Sequence, residues 1–237
     1  MNDMHTHILP KLDDGSKSAE MSIEMIRKLS SEGVRKIVLT PHFYASSNSV
    51  DSFLEKREHS LNRLKEALAG ENLETEIYVG AEVLFMDSLD RVEGFERMAI
   101  DGTDYMLLEM PFSEWSSRTV DTVFRIMSNG VTPIIAHFER YIPIIKDMKP
   151  IYELRKMGCI LQMNAESFKG FFAKRKALKF FSEGTARLLG SDCHNLTSRA
   201  PEIKFAYDLI AEKLGEEKVR EIVALGDKIL EKANRVI

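Results

Sequence analysis

Lys36-Ile37-Val38-Leu39-Thr40-Pro41-His42 is a short, nearly unbroken apolar run that stops at a histidine. It is too short to make a good helix. It also lacks the polar alternation of a strand with one wet face, so it suits a parallel strand buried on both sides. The same reading applies where Thr132-Pro133-Ile134-Ile135-Ala136 leads into His137. Further apolar runs at 1–7, 77–83, 105–110, 159–164 and 187–192 bring the strand candidates to seven.

Amphipathic stretches lie between these runs. Met21, Met25 and Leu29 repeat at four-residue steps, with Ser18 as N-cap and Gly33 as stop. Leu54, Leu61, Leu64 and Leu68 form a second stripe, and Val120, Val123, Phe124 and Met127 a third, each predicting one buried helix face. Ile203, Ala206, Tyr207, Ile210 and Leu214 follow Pro201, which is expected at the first helical position. Val219, Ile222 and Val223 mark a further packed helix. Strand alternating with helix implies βα units and a parallel sheet. Seven strands in 237 residues fit a closed or nearly closed barrel, with a doubly wound open sheet as the other geometry. No Gly/Ser/Pro-rich linker divides the chain, so residues 1–237 are expected to form a single domain.

With 44% hydrophobic and 30% charged residues, the composition is that of an ordinary globular protein, and the net charge of -4 argues against general nucleic-acid binding. No apolar run approaches the roughly 20 residues that span a bilayer, and the first residues lack the pattern of a signal peptide. Cys159 and Cys193, the two cysteines, suggest reduced core thiols rather than a disulfide framework. The expectation is a cytoplasmic protein with no membrane insertion.

The strand ends carry the chemistry. Strand 1 ends in Asp3-Met4-His5-Thr6-His7, with Asp13-Asp14-Gly15 in the following loop; strand 2 ends at His42, strand 3 at Glu82 and strand 4 at Glu109. Strand 5 ends in His137-Phe138-Glu139-Arg140, strand 6 in Gln162-Met163-Asn164, and strand 7 in Asp192-Cys193-His194. In barrels the C-terminal strand ends converge on one face, where active sites are found. His5 and His7, two apart, point the same way and suit chelation of one ion.

One histidine at a strand end is more often a satisfied hydrogen-bonding residue than a ligand, but a histidine or acid at the end of six of seven strands is a pattern. His5, His7, His42, His137 and His194 with Asp14, Glu82, Glu109 and Asp192 make nine candidate ligands, enough for two or three divalent ions. Imidazole with carboxylate suits Mn²⁺, Fe²⁺ or Zn²⁺. Asp13 reads as a turn residue, His59 as solvated surface, and Cys193 as a core thiol turned away from Asp192 and His194. Arg140 and Arg199 are either partners of Glu139 and Glu202 or a fork of donors for a phosphate, the second being favoured beside a metal cluster.

These motifs, from Asp3-Met4-His5-Thr6-His7-Ile8-Leu9-Pro10 to Gly190-Ser191-Asp192-Cys193-His194, resemble the PHP (polymerase and histidinol phosphatase) superfamily. More narrowly, the chain is similar to the bacterial capsule and exopolysaccharide protein-tyrosine phosphatases of that superfamily. The resemblance spans residues 1 to about 200 and implies a distorted, TIM-like (β/α)7 PHP barrel with three metal ions, commonly manganese. By position it implies that His5, His7, Glu82 and Asp192 hold one ion, that Glu82, Glu109 and His137 hold a second, and that Asp14, His42 and His194 hold the third. It also implies that Arg140 and Arg199 bind the substrate phosphate and that the partner is a tyrosine kinase of polysaccharide export. The family usually has Pro where this chain has Phe138, a departure that bears on the position of Arg140.

The expected reaction is phosphomonoester hydrolysis by a metal-bridging hydroxide, with no cysteine nucleophile. Phe43, Tyr44, Phe112 and Trp115 either flank a phenyl ring or pack loops. The alternatives are a histidinol-phosphate phosphatase or other small-molecule PHP phosphatase, a PHP nuclease, or an inactive, metal-stabilised kinase-binding module. No residue pattern specifies an oligomeric state.

Overall fold

In the computed structural model, which describes residues 1–71, 73–145 and 147–237, every apolar run quoted above becomes a strand or a pair of strands. Among the described residues these are β1 (Asn2–Thr6), β2 (Lys36–Leu39), β3 (His42–Phe43), β4 (Glu76–Val79), β5 (Glu82–Leu84), β6 (Tyr105–Glu109), β7 (Thr132–Ile135), β8 (Ile160–Asn164) and β9 (Leu188–Gly190). The helices are α1 (Ala19–Ser31), α2 (Val50–Leu68), α3 (Ser117–Ser128), α4 (Ile142–Ile145), α5 (Lys149–Met157), α6 (Phe171–Ser182), α7 (Lys204–Leu214) and α8 (Glu216–Leu230).

All strand ladders are parallel, in the orders β1-β2-β4 and β3-β5-β6-β7-β8-β9. The ring closes where Asp192 N donates to His5 O at 2.8 Å and His7 N to Cys193 O at 2.9 Å. The architecture is the distorted, TIM-like α/β barrel expected, with seven staves and helices outside.

Two staves are broken where one continuous strand was expected. Residues 36–41 stop being a strand at Thr40-Pro41, because proline has no N–H for the ladder. Thr40 repairs the gap, its hydroxyl accepting from Thr6 N at 3.1 Å and its own N–H donating to Thr6 O at 2.9 Å. Residues 77–83 break at Gly80, whose carbonyl accepts from the buried Arg57 guanidinium of α2 at 3.0 Å. A third irregularity lies in β1. Asp3 pairs with Ile37 but Thr6 with Leu39, so one extra residue is accommodated and the alternation shifts.

Met4, Val38, Tyr78, Leu107, Ile134, Ile160 and Leu188, one from each stave, form a buried layer that Ile229 and Leu230 of α8 complete. Packed layers of this kind fill barrels of this size. A larger cluster lies between staves and helices, including Ile37, Leu39, Ile77, Val79, Met106, Leu108, Leu161 and Leu189.

Helix α1 begins and ends as expected, the Ser18 hydroxyl accepting from Met21 N and Gly33 taking φ 88°. Three expectations need correction. The buried face of α3 is Thr119, Thr122, Val123 and Ile126, and Phe124 is exposed. Threonines supply half of that face; the Thr122 hydroxyl is satisfied by Arg118 O at 3.0 Å, so an apolar count misplaces the stripe. Pro201 lies outside α7, which starts at Lys204 because Glu32 of α1 accepts from Ile203 N and Lys204 N at 3.1 Å each. A carboxylate there satisfies free N–H groups at the helix start. In α8 only Ile222 of the three residues named is fully buried, and Gly226, Ile229 and Leu230 complete the inner face.

Gly190 marks the tightest join between staves. A Cβ there would stand 2.6 Å from His5 Cβ and 2.8 Å from Gln162 Nε2. Gly190→Ala is therefore expected to destabilise the chain by about 1–3 kcal/mol through overpacking. The urea midpoint measures it, and an unchanged midpoint contradicts the close packing of β9 on β1.

Candidate metal centre

The nine candidate side chains meet at the C-terminal mouth of the barrel, with Glu82 in the middle. Its buried Oε2 lies 3.2 Å from His5 Nε2, 3.2 Å from His7 Nε2 and 3.1 Å from His42 Nδ1, and Oε1 lies 2.9 Å from His137 Nε2. Glu109 Oε1 is 3.5 Å from the same His137 nitrogen. Asp192 Oδ1 stands 3.5 Å from His5 Nε2 and 3.4 Å from His7 Nε2. Asp14 Oδ1 is 3.2 Å from His194 Nε2 and 3.5 Å from His42 Nε2. Among the described residues three sets have donor atoms within 4.8 Å of one another: His5, His7 and Asp192; His42, Glu82 and Glu109; and His7, Asp14, His42 and His194. His59, expected as surface, is exposed on α2.

A second layer turns the imidazoles. Asp13 Oδ2 lies 2.7 Å from His7 Nδ1 and accepts from His42 N at 3.0 Å, while Asp13 Oδ1 accepts from Gly15 N at 2.9 Å. Gln162 Oε1 accepts from His137 N at 2.9 Å and lies 3.3 Å from His5 Nδ1. Gln162 Nε2 donates to Asn164 Oδ1 at 3.0 Å, and Asn164 Nδ2 donates to Asp192 Oδ2 at 2.8 Å. The buried Tyr141 hydroxyl sits 3.1 Å from His137 Nδ1 and accepts from Met110 N at 3.0 Å. His5, His7 and His137 thus have one ring nitrogen engaged outside the centre and Nε2 facing in, the arrangement that fixes metal-binding histidines. His137 and Asp192 have φ of 29° and 54°, left-handed values that non-glycine residues adopt at a cost.

Asp13 is the correction here: it is a partner of His7 and not merely a turn residue. Gln162, Asn164 and Tyr141 received no role from the sequence. Their signal was polar residues at alternate positions of an otherwise apolar strand, and a tyrosine one turn after a histidine.

The site carries strong internal fields. Burial opposes charge on His7 and His137, yet neighbouring carboxylates outweigh it and hold them at about 10 and about 9; the partners are Asp13 and Glu82 for the first, Glu109 and Glu82 for the second. Burial and the nearby His7 push His194 down to about 4. Burial also opposes ionisation of Glu82 and Asp192, but the facing histidines, His5 foremost, hold both below the usual carboxylate range. Burial raises the Tyr44 phenol to about 12, with Glu109 and Glu82 adding to it, so it stays neutral near the acidic cluster.

Neither arginine pairs with Glu139 or Glu202 among the described residues. Arg140 meets Asp192 Oδ2 at 2.9 Å and Arg199 meets Asp192 Oδ1 at 2.6 Å, each with about a third of its side chain exposed. Glu139 instead accepts from Asn164 N and the Ser167 hydroxyl, and Glu202 binds Lys28 and Lys169. Phe138 is buried against Phe180, and the turn carrying Arg140 still brings it to Asp192. Of the four aromatics, Phe43 and Trp115 are core residues. Tyr44 stacks on His42 at 5.4 Å, and Phe112, 53% exposed, stacks on His137 at 6.1 Å. Cys193 is fully buried, and burial pushes its thiol well above the ordinary range.

A closed parallel barrel with a histidine–carboxylate cluster at its C-terminal mouth defines the class of protein. The family model for capsular polysaccharide synthesis, CpsB/CapC, matches residues 1–231, and the chain belongs to that family. It is 32% identical over 236 residues to the putative tyrosine-protein phosphatase CapC of Staphylococcus aureus, covering 97% of this chain and 91% of that one. It is 33% identical to the tyrosine-protein phosphatase CpsB of Streptococcus pneumoniae, covering 94% of each. A solved structure from work on YwqE of Bacillus subtilis and CpsB of Streptococcus pneumoniae, described as unique metal-dependent tyrosine phosphatases, superposes with a TM-score of 0.87 at 25% identity, over 99% of this chain and 97% of that one.

The second layer has a measurable consequence. Asp13→Asn keeps the shape but removes the charge that orients His7, and metal affinity is expected to fall about 10- to 100-fold, while the metal-free chain, which loses the buried Asp13–His7 pairing, is expected to be less stable. Calorimetric titration with Mn²⁺ checks it; unaltered affinity rejects the orienting role.

Proposed function

We propose that this chain is a metal-dependent protein-tyrosine phosphatase of capsular or extracellular polysaccharide synthesis, with a tyrosine kinase as its protein substrate. Residues 1–237 are proposed to act as one catalytic domain in the cytoplasm. The observation that carries the reading is the meeting of four imidazoles on the single buried carboxylate of Glu82, within 3.2 Å. The relatives named as tyrosine phosphatases support the substrate class.

The donor set fits divalent metal. Asp13, Glu82, Glu109 and Asp192 are buried or nearly so around the mouth, and carboxylates packed this closely call for cations. His5 Nε2 and His7 Nε2 are 3.1 Å apart, close to the roughly 3 Å that separates two nitrogens bound at right angles to one ion at about 2.1 Å. His42 Nδ1 and His194 Nε2 are buried without a hydrogen-bond partner although carboxylate oxygens lie 3.1 and 3.2 Å away. Such nitrogens face carboxylates without the alignment of hydrogen bonds, as co-ligands do.

On this reading His5, His7, Glu82 and Asp192 would hold one ion, Glu82, Glu109 and His137 a second, and Asp14, His42 and His194 a third. Manganese is the proposed metal, and iron or zinc suits the same donors. Bound there, the ions would supply an activated water and positive charge for the phosphoryl oxygens. The chain supplies the rest. Arg140 and Arg199 offer their remaining N–H donors to the phosphate beside Asp192, fixing its orientation bidentately. Tyr44 and Phe112, each stacked on an imidazole at the mouth, offer faces to the phenyl ring of phosphotyrosine. Gln162, Asn164 and Asp13 hold the first layer still, so the groups need no rearrangement as charge develops.

The test is phosphate release from a phosphotyrosine peptide, with histidinol phosphate as competitor, before and after chelation. Two or three ions per chain, activity lost to chelator and restored by Mn²⁺, and preference for the peptide are expected. Metal-free protein with activity indifferent to chelator would falsify the reading. Cys193→Ser is expected to retain most activity, since the thiol is sealed in the core; loss of turnover with metal content intact rejects the cysteine-free mechanism.

A further inference from the structure

Helix α6 begins with two adjacent phenylalanines that the described residues leave largely uncovered. Phe171 is 73% exposed and Phe172 84% exposed, and their aromatic contact is with each other, edge to face at 5.5 Å. The inner face of α6 is Ala177, Phe180 and Phe181, so the helix is fully anchored without them. Single exposed apolar residues are common, but an adjacent aromatic pair with no core function marks an interaction surface.

The residues that follow say what kind of surface. Arg175, Lys176 and Lys179 lie three, four and seven positions after Phe172, on one stripe of the helix, and all are exposed. Lys174 adds a fourth cation in the same segment, and Lys169 precedes it. Lys179 is paired with Glu183 at 3.6 Å and Lys169 with Glu202 at 3.1 Å, both at the surface. Among the described residues no ion pair engages Arg175 or Lys176. In a chain of net charge -4 this local positive patch is not a reflection of overall composition.

We propose that Phe171, Phe172 and the cations of α6 form a docking surface for an anionic lipid bilayer, holding the protein on the membrane without crossing it. Aromatic side chains inserted at the headgroup level beside lysine and arginine are how peripheral helices bind such surfaces. The exposure of the pair decides against a peptide groove, because rings that present 73 and 84% of their area to solvent lie in no concavity, whereas a bilayer receives protruding groups. Burying two rings gives modest affinity on its own, and the headgroup charge supplies the rest. The patch starts seven residues after Asn164, at the barrel end that carries the metal centre, and docking there would present the mouth to substrates at the bilayer surface.

The proposal does not depend on the catalytic reading. The full chain is floated with vesicles of phosphatidylcholine alone and with vesicles containing about a third phosphatidylglycerol, at low and high salt. Wild type is expected to float with the anionic vesicles only, and binding is expected to weaken as salt rises. Phe171→Ser with Phe172→Ser, and separately Arg175→Glu with Lys176→Glu, are each expected to reduce bound protein at least tenfold, while turnover of a soluble phosphopeptide and elution volume stay at wild-type values. Wild type that remains unbound to anionic vesicles, or variants that float like wild type, overturns the proposal. A changed elution volume in the phenylalanine variant, or a raised KM for a long acidic phosphopeptide without vesicle binding, overturns it in favour of a self-association or peptide surface.

Discussion

Glu82 holds the centre together because its two buried carboxylate oxygens reach four imidazoles. One carboxylate oxygen faces His5, His7 and His42, and the other faces His137, so residues from three other staves converge on one side chain. A carboxylate in that position, buried, is tolerable only with positive charge around it. Beside these carboxylates His7, His42 and His137 hold their protons more tightly than a free imidazole, and divalent ions are the natural replacement for that charge. The neighbouring acids then make sense as a set. Asp192, Glu109 and Asp14 would be an unfavourable crowd around Glu82 in a site meant to stay without cations.

The irregularities of the barrel serve this convergence. The extra residue in β1 lets Met4 join the lower apolar layer while His5 and His7 reach the mouth. The breaks at Thr40-Pro41 and Gly80 stand just before His42 and Glu82, so each break re-aims a stave where a polar side chain must turn inward. Thr40 and Arg57 satisfy the backbone groups that the breaks release. An ideal barrel would carry its alternation straight through and could not bring both faces of a strand into play.

Much of this was legible in the residues and some was not. The staves stood out because strands buried on both faces are continuous apolar runs, and their ends stood out because the chemistry sits there. The breaks did not, since a count of apolar residues does not register the N–H that Pro41 lacks or the backbone freedom of Gly80. Phe124 was misplaced because hydropathy counts threonine as polar, whereas Thr119 and Thr122 are buried with their hydroxyls satisfied. Pro201 was misplaced because the start of α7 is set by Glu32, 171 residues away from Ile203. Asp13 looked like turn chemistry and is also that, through its bond to Gly15 N; its contact with His7 is visible only once the loop folds back. Local pattern thus found the ligand candidates, and missed the residues that act on them from a distance.

Stability and chemistry are divided between the two ends of the barrel. The lower layer, with one residue from each stave and the end of α8 beneath it, is apolar but for the Tyr78 hydroxyl, which donates to Glu76. The upper end concentrates crowded acids, two left-handed backbone positions at His137 and Asp192, and ring nitrogens without hydrogen bonds. Such features persist only when the surroundings over-determine them. Here the surroundings are the Gln162–Asn164–Asp192 chain on one side and the Asp13 loop on the other, both tied to staves that the lower core fixes. Any ion that binds the folded mouth and not the unfolded chain adds its binding free energy to stability. The strain at the mouth is therefore offset from above by ligand and from below by packing, and a cluster of like charges can remain in place, oriented, until a metal arrives.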